Sequence, residues 1–249
     1  MSQYQGLAGC YDAFTEDVCY PKWADYFESV FSKHETQVES ILDLGCGTGS
    51  LSVLLSDRGY EVIGVDASPE MLAQAQAKAT ACKKIPPMFL CQEMEELDLY
   101  GTVDAAVSSL DSISYLDGPE ALDETVARLK FFVRPGGLFV FDVNTETKFR
   151  TIDGENFLRE DDDNVCIWSA AYDEASKYCW MGMNLFCREG AVWTREREEH
   201  EEYAFSREEI VVALEGNGFT LEAAYDELSM LSARDDSMRI FYVARRNQE

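Results

Sequence analysis

Residues 41–49 of this 249-residue chain read ILDLGCGTG, and this stretch decides the fold. Its first half belongs to a short apolar strand that we predict over Ser40–Leu44, and its second half is a glycine-rich turn. Glycine lets the chain turn sharply and lets a ligand approach the backbone without meeting a Cβ. A helix predicted over Gly49–Arg58 follows at once, and Gly59 ends it. The first N–H groups of that helix can hold a negative or polar ligand group.

Outward from this stretch, strands and helices alternate as far as residue 143. Further strands are predicted over Tyr60–Val65, Met88–Cys91, Val103–Ser108 and Leu138–Val143, and helices after the N-cap Ser68 and over Pro119–Val133. On the N-terminal side, apolar residues at helical spacing predict an amphipathic helix from Trp23 to Phe31. Repeated strand–helix units imply an α/β fold with a doubly wound, mostly parallel sheet.

The pattern changes after Asn144. Three strands, predicted over Val165–Tyr172, Lys177–Arg188 and Ala191–Tyr203, indicate an inserted antiparallel β-meander. A helix over Ser206–Glu215 with a capping box and two strands over Phe219–Tyr225 and Met238–Ala244 complete the chain. We therefore predict a helical segment and ligand-binding core over 1–145, an inserted β subdomain over 146–205, and a last helix and two strands over 206–249.

The charge of the chain limits its partners. Asp and Glu number 47 against 21 Lys and Arg, a formal net charge of -26. A surface this acidic repels phosphate backbones and anionic headgroups, so we expect neither nucleic acid nor a membrane as partner. No apolar run approaches the roughly 18 residues of a membrane span. The first 14 residues lack Lys and Arg, which predicts no secretory signal.

The cysteines and histidines predict no metal. None of the eight Cys residues forms a CxxC pair, and there are two His residues. We expect reduced thiols and a cytoplasmic location.

The residues around the turn favour one kind of ligand. The glycine spacing is GxGxG, whereas nicotinamide enzymes use GxGxxG. Asp43, two residues before the first glycine, would repel a pyrophosphate and attract an ammonium group. Asp66, at the end of the second predicted strand, can accept both hydroxyls of a ribose. Residues 91–94, after the third, can read an adenine edge. The pattern therefore favours a ligand that carries an amino acid over a dinucleotide.

Four segments together resemble the class I S-adenosylmethionine-dependent methyltransferases. DLGCGTGSL at 43–51 resembles the first motif of the family and GVDASPEML at 64–72 the second. SSLDSISYL at 108–116 and RPGG at 134–137 also fit its pattern. The resemblance extends over essentially the whole chain and is strongest to small stand-alone bacterial methyltransferases of unassigned substrate. It implies a Rossmann-like fold with a seven-stranded sheet, and S-adenosyl-L-methionine as cofactor.

The resemblance also implies roles for individual residues. The turn of Gly45, Cys46, Gly47 and Gly49 would pass under the methionine portion of the cofactor, with Asp43 near its ammonium and Ser109 nearby. The ribose would lie on Asp66 and Ala67, and the adenine on Met71, Glu93 and Met94. Tyr11 and Trp23 would reach the cofactor from the N-terminal segment. Many relatives carry Asp where this chain has Glu93, so the contact to the adenine amino group can shift to the backbone of Met94.

Methyl transfer from a sulfonium is an in-line displacement, which mainly requires alignment in a water-poor site. A base is needed only where the acceptor must lose a proton. The candidates are His200, Asp111 and Tyr20, with Tyr115 beside them. The competing interpretations are an exposed acidic edge strand around His200, a loop or helix cap for Asp111, and surface or core packing for the tyrosine.

The meander is expected to roof the site and select the acceptor, with Trp168, Trp180 and Trp193 as apolar and cation-binding surface. An acidic, aromatic pocket would suit an amine or a flat apolar molecule. We expect a small-molecule methyl acceptor and a monomer or homodimer. The alternatives are a methyltransferase of protein side chains and a non-catalytic nucleotide-binding scaffold. A nicotinamide oxidoreductase is disfavoured by the glycine spacing.

Overall fold

Two sheets organise the chain in a computed structural model, which describes residues 11–15 and 18–248. The prediction of no secretory signal concerns the first 14 residues. Residues 1–10 of this segment lie outside the described ranges. With strands numbered in chain order, the larger sheet contains β1 (Ser40–Leu44), β2 (Glu61–Asp66), β3 (Met88–Cys91), β4 (Val103–Ser108), β5 (Val133–Asn144), β10 (Phe219–Asp226) and β11 (Arg239–Arg246). Its strand order is β10-β11-β5-β4-β1-β2-β3.

The first five strands pair parallel with one another, and β11 pairs antiparallel with both β5 and β10. The helices are α1 (Tyr11–Phe14), α2 (Tyr20–Lys33), α3 (Ser50–Arg58), α4 (Pro69–Ala79), α5 (Gly118–Phe132), α6 (Glu146–Ile152) and α7 (Arg207–Gly216). On β1, Leu42 packs into a core shared with α5 and α7, whereas Ile41 packs into a second core with α2 and α3. Apolar residues on both faces explain the continuous apolar runs of these strands. The doubly wound, seven-stranded fold is confirmed.

The smaller sheet is the inserted antiparallel meander. It contains β6 (Asn156–Glu160), β7 (Asn164–Asp173), β8 (Tyr178–Glu189) and β9 (Val192–Tyr203), paired in that order. The three predicted strands are confirmed to within a residue at each end, but β6 and α6 were not predicted. β6 is short and mostly exposed, so its sequence carries no apolar alternation. The sequence does carry one signal for helix α6, which is the threonine at its N-cap position. In the structure, the side chain of Thr145 accepts a hydrogen bond from Lys148 N.

The predicted helix caps are present. Ser68 caps α4 by accepting from Met71 N at 3.2 Å, and Ser206 and Glu209 form the capping box of α7. Strand β5 begins at Val133, earlier than the predicted Leu138. A Cβ at Gly137 would lie 2.6 Å from Asp104 O, so glycine there lets the strand approach β4. Within the described ranges, no helix combines the length and apolar composition needed to cross a bilayer.

Candidate active site

A cavity of about 410 Å³ opens where β1, β2, β3 and the segment after β4 end. Ligands bind at the carboxyl ends of parallel strands because the chain order reverses there and leaves a crevice. Eight of the predicted cofactor residues line this cavity: Tyr11, Gly45, Gly47, Asp66, Ala67, Met71, Glu93 and Met94.

The glycine turn forms the floor of the cavity. Gly45, Gly47 and Gly49 all have positive φ, between 53° and 74°, which side chains rarely adopt. Gly45 N and Cys46 N donate to Val65 O at 2.8 and 2.9 Å, and these bonds tie the turn to β2. A Cβ on Gly47 would meet no atom within 4 Å, so it would project into open space. At Gly47 the floor is therefore bare backbone that a ligand can touch.

Asp66 is held by the backbone on both sides. Its Oδ2 accepts from Gly47 N and its Oδ1 from Ser68 N, each at 2.8 Å. Each carboxylate oxygen keeps a further lone pair for a ligand. Burial raises the pKa of Asp66, and the two backbone donors oppose that shift. The carboxylate is thus oriented before any ligand arrives.

Asp43 lies beneath the floor and is 1% exposed. Its Oδ2 accepts from the Ser52 hydroxyl at 2.5 Å, whereas its Oδ1 has no hydrogen-bond partner within the described part of the chain. Burial raises the pKa of Asp43 to about 6. A buried acceptor without a donor is costly in a folded protein, so this oxygen can take a donor from outside the described residues.

The remaining predicted cofactor residues lie behind the cavity wall. The Cys46 sulfur lies beside Gly64, Ser109 O accepts from Ser112 Oγ at 2.8 Å, and Gly49 packs closely on Ala75. Trp23 packs on Phe241, with ring centroids 5.3 Å apart, in the core beneath β11. The structure therefore places Trp23 in the core and does not bring it to the cofactor cavity.

Asp111 takes part in a buried network of charges between the two sheets. Arg239 Nη2 lies 2.8 Å from Asp111 Oδ1, and Arg239 Nη1 pairs with Asp142. Asn144 Nδ2 donates to Asp111 at 2.7 Å and to Glu202 of β9 at 2.8 Å. Arg239 and its neighbouring cations hold the pKa of Asp111 below its ordinary value. Asp111 is an anchoring residue in this geometry and does not line the cavity.

Glu202 of this network sets an expected pH dependence of stability. Burial and then Asp111 raise the pKa of Glu202 to about 8, so the folded protein keeps a proton that the unfolded chain loses near its ordinary value of 4.5. The free energy of unfolding therefore falls as pH rises from about 5 to about 8. We expect Glu202→Gln to gain stability relative to wild type across this window, measured by urea unfolding. Glu201→Gln, on the exposed face of β9, is the control. A stability difference that does not change with pH would contradict the assignment.

His200 is buried, at 1% exposure, although it lies on the edge strand β9. Its Nδ1 lies 3.4 Å from the hydroxyl of Tyr115, which lines the cavity, and its Nε2 lies 3.0 Å from Glu198 Oε2. The expected exposed acidic edge holds for Glu199 and Glu201 but is wrong for the opposite face, which packs on the core. Period-two alternation predicted the two faces correctly.

A second cavity of about 410 Å³ lies between α1 and the four-stranded sheet. It is lined by Tyr11, Thr15, Phe157, Leu158, Arg159, Cys166, Trp168 and Met183. Three tryptophans were expected to line an acceptor pocket. Trp168 lies on the wall of this second cavity, whereas Trp180 and Trp193 are 43% and 47% exposed. Tyr11 lines both cavities, and burial raises its pKa.

Helix α1 is tied to the glycine turn. Asp12 Oδ1 accepts from the Thr48 hydroxyl at 2.8 Å and from Lys78 Nζ at 2.7 Å. Tyr20 lies at the start of α2 in the same region. Burial raises its pKa, and hydrogen bonds with the Thr15 and Ser50 side chains oppose that rise. This corner, formed by α1, the start of α2 and the glycine turn, holds Tyr11 in place over both cavities.

Sequence reasoning missed Asp142, Asn144, Glu202 and Arg239. One signal was available, because Asp142 interrupts an otherwise apolar strand and a buried carboxylate requires a partner. The sequence did not show which cation pairs with it, since Arg239 lies 97 residues away.

Comparisons with known proteins bear on this site. Residues 41–137 match a family model described as a methyltransferase domain. YqeM of Bacillus subtilis (strain 168), whose name assigns it provisionally to the methyltransferases, is 32% identical over 249 residues that cover 98% of each chain.

Two solved structures share the fold. One, an S-adenosylmethionine-dependent methyltransferase from Clostridium acetobutylicum ATCC 824, has a TM-score of 0.87 at 27% identity and covers 98% of this chain and 99% of its own. The other, CalS10, is an amino pentose methyltransferase from Micromonospora echinaspora solved with S-adenosylmethionine bound. It has a TM-score of 0.76 at 20% identity and covers 95% of this chain and 96% of its own.

Proposed function

The chain belongs to the class I S-adenosylmethionine-dependent methyltransferases, and from this premise we propose that it methylates a small-molecule acceptor bound between its two sheets. That it is an enzyme with S-adenosyl-L-methionine as methyl donor follows from the family. The observation that carries the proposal is the pair of cavities joined at Tyr11, one for the donor and one for the acceptor. These relatives do not support a non-catalytic scaffold or a methyltransferase of protein side chains.

The residues of the first cavity fit the donor. Asp66 would hold the two ribose hydroxyls with the lone pairs that its backbone donors leave. The unpartnered Oδ1 of Asp43 would accept from the ammonium, directly or through water. The space in front of Gly47 would take the methionine portion, and Met71 and Met94 would pack on the adenine.

The chain aligns the reaction and excludes water. When bound, S-adenosylmethionine supplies an electrophilic methyl group on a positively charged sulfur. An acceptor lone pair would take up this methyl group, and the sulfur would keep the electron pair of the broken bond. Tyr11 covers the junction where these atoms meet, so the displacement takes place away from bulk solvent.

Tyr115, His200 and Glu198 form the proposed path for a proton released by the acceptor. Tyr115 reaches the cavity, His200 lies behind it, and Glu198 orients the imidazole. We expect His200→Gln to lower kcat about 100-fold or more while leaving donor affinity unchanged, because general bases contribute on that scale. The matched control is Glu199→Gln on the opposite face of β9. Equal kcat values in the His200 variant and wild type would remove His200 from the mechanism.

The acceptor class can be tested with donor carrying a radiolabelled methyl group. The enzyme is incubated with an extract of Bacillus subtilis cells, beside an incubation without added enzyme. Unreacted donor is removed from the ultrafiltrate by chromatography, and the transferred label is then counted in the ultrafiltrate and in the retained macromolecules. We expect label in the ultrafiltrate only. Label in the retained protein would overturn the proposal in favour of the side-chain alternative, and label in neither fraction would contradict it as well.

A further inference from the structure

We propose that the acceptor carries a planar aromatic ring without a cationic group, and that this ring binds against Trp168 in the second cavity. The proposal rests on the proposed function, because it assigns the acceptor to that cavity. It also departs from the sequence-based expectation, which left an amine open as the acceptor.

The wall of the second cavity is a row of side chains that crosses three strands. Phe157 of β6 is the register partner of Trp168 of β7, and Trp168 is the register partner of Met183 of β8. The rings of Phe157 and Trp168 stack with centroids 4.0 Å apart and planes 17° apart. Because register partners point to the same face of a sheet, all three side chains face α1.

Such a row favours a flat partner. Because the rings of Phe157 and Trp168 stack on each other across the strands, they present their edges to the cavity, and the face of an aromatic ring can bind such edges in an edge-to-face contact. The sulfurs of Met183 and Cys166 add polarisable contacts. Tyr11 closes the opposite side of the space and borders the donor cavity. A ring held between Tyr11 and Trp168 would therefore present a substituent at its edge to the junction of the two cavities.

The charge of the cavity opposes a cation. Among its described lining residues, the charged side chain is that of Arg159, and no carboxylate is found on the wall. The chain as a whole has 47 acidic residues against 21 basic ones, so the lack of carboxylates among the described lining residues is unusual for its surface. Among these residues, an ammonium group would find no counter-charge.

The test is calorimetric titration of the full-length protein, saturated with S-adenosylhomocysteine, with 2-naphthoate and with decahydro-2-naphthoate. The two probes carry the same charge, but one ring system is planar and the other is puckered. We expect the planar probe to bind about tenfold more tightly, and Trp168→Leu to abolish this preference. Trp193→Leu on the same sheet is the control and should keep it, since Trp193 is exposed outside the cavity.

The outcomes separate the two proposals. If S-adenosylhomocysteine fails to bind wild type, the donor site and the proposed function fail together. If it binds but the two naphthoates have equal affinity, or neither binds, or Trp168→Leu keeps the preference, the aromatic acceptor is overturned and the methyltransferase stands. Phe157→Leu, expected to weaken the preference, replaces the Trp168 variant if that chain does not fold.

Discussion

Asp66→Ala is expected to weaken the binding of S-adenosylmethionine by about 100-fold or more. Each hydrogen bond between a hydroxyl and a charged carboxylate contributes about 1.5–3 kcal/mol, and a ribose offers two hydroxyls. The loss of both removes about 3 kcal/mol at the lower limit, which corresponds to two orders of magnitude in Kd. Calorimetric titration with S-adenosylmethionine and S-adenosylhomocysteine measures this directly.

Asp57→Ala is the matched control for this variant. Asp57 also accepts a backbone hydrogen bond, from Lys83 N at 2.7 Å, but it lies near the end of α3, outside the cavity. We expect its removal to leave the Kd of both ligands within about twofold of wild type. If Asp66→Ala retains wild-type affinity with an intact thermal transition, the ribose assignment is wrong.

Arg239→Met is expected to destabilise the fold by about 3–5 kcal/mol. The guanidinium pairs with the fully buried carboxylate of Asp142 and the partly buried carboxylate of Asp111, and its removal leaves them without their shared cation. Burial already raises the pKa of Asp142 to about 6, so this group takes up a proton readily. The loss in unfolding free energy of the variant relative to wild type should therefore become smaller as pH falls toward about 5. Urea unfolding at several pH values measures both effects.

Arg234→Met tests the same chemistry at the surface. Arg234 is 65% exposed and pairs with Asp226 and Asp236. Exposed pairs contribute about 0–1 kcal/mol, so we expect little change in unfolding free energy. Equal costs for the two arginine variants would show that burial does not govern the contribution of Arg239.

The cavity at the strand ends was predictable because its residues are local. The glycine turn, Asp43 and Asp66 lie within a stretch of 24 residues, and both carboxylates stand in the last two residues of neighbouring strands. Turn geometry and strand order then determine where they meet. The positive φ of Gly47 and the open space before it are what the GxGxG spacing led us to expect.

The surroundings of the second cavity depend on contacts between distant segments. Alternation on β9 correctly placed His200 opposite Glu199, but only packing of the meander on the core shows which face is buried. Trp23 shows the reverse error, since an aromatic residue near a predicted site was assigned to the ligand and instead fills the core beside Phe241. Periodicity gives the direction of a side chain, and tertiary packing decides what it meets.

The position of Tyr11 has a consequence for the order of events in a catalytic cycle. Because α1 is tied to the glycine turn through Asp12 and Tyr11 lines both cavities, we expect an acceptor in the second cavity to obstruct the donor cavity, so that the donor binds first. The demethylated donor then leaves last, after the methylated product. Initial-rate kinetics should accordingly follow an ordered sequence, with S-adenosylhomocysteine competing against the methyl donor and not against the acceptor. A four-residue helix would thus set the timing of turnover as well as the shape of the site.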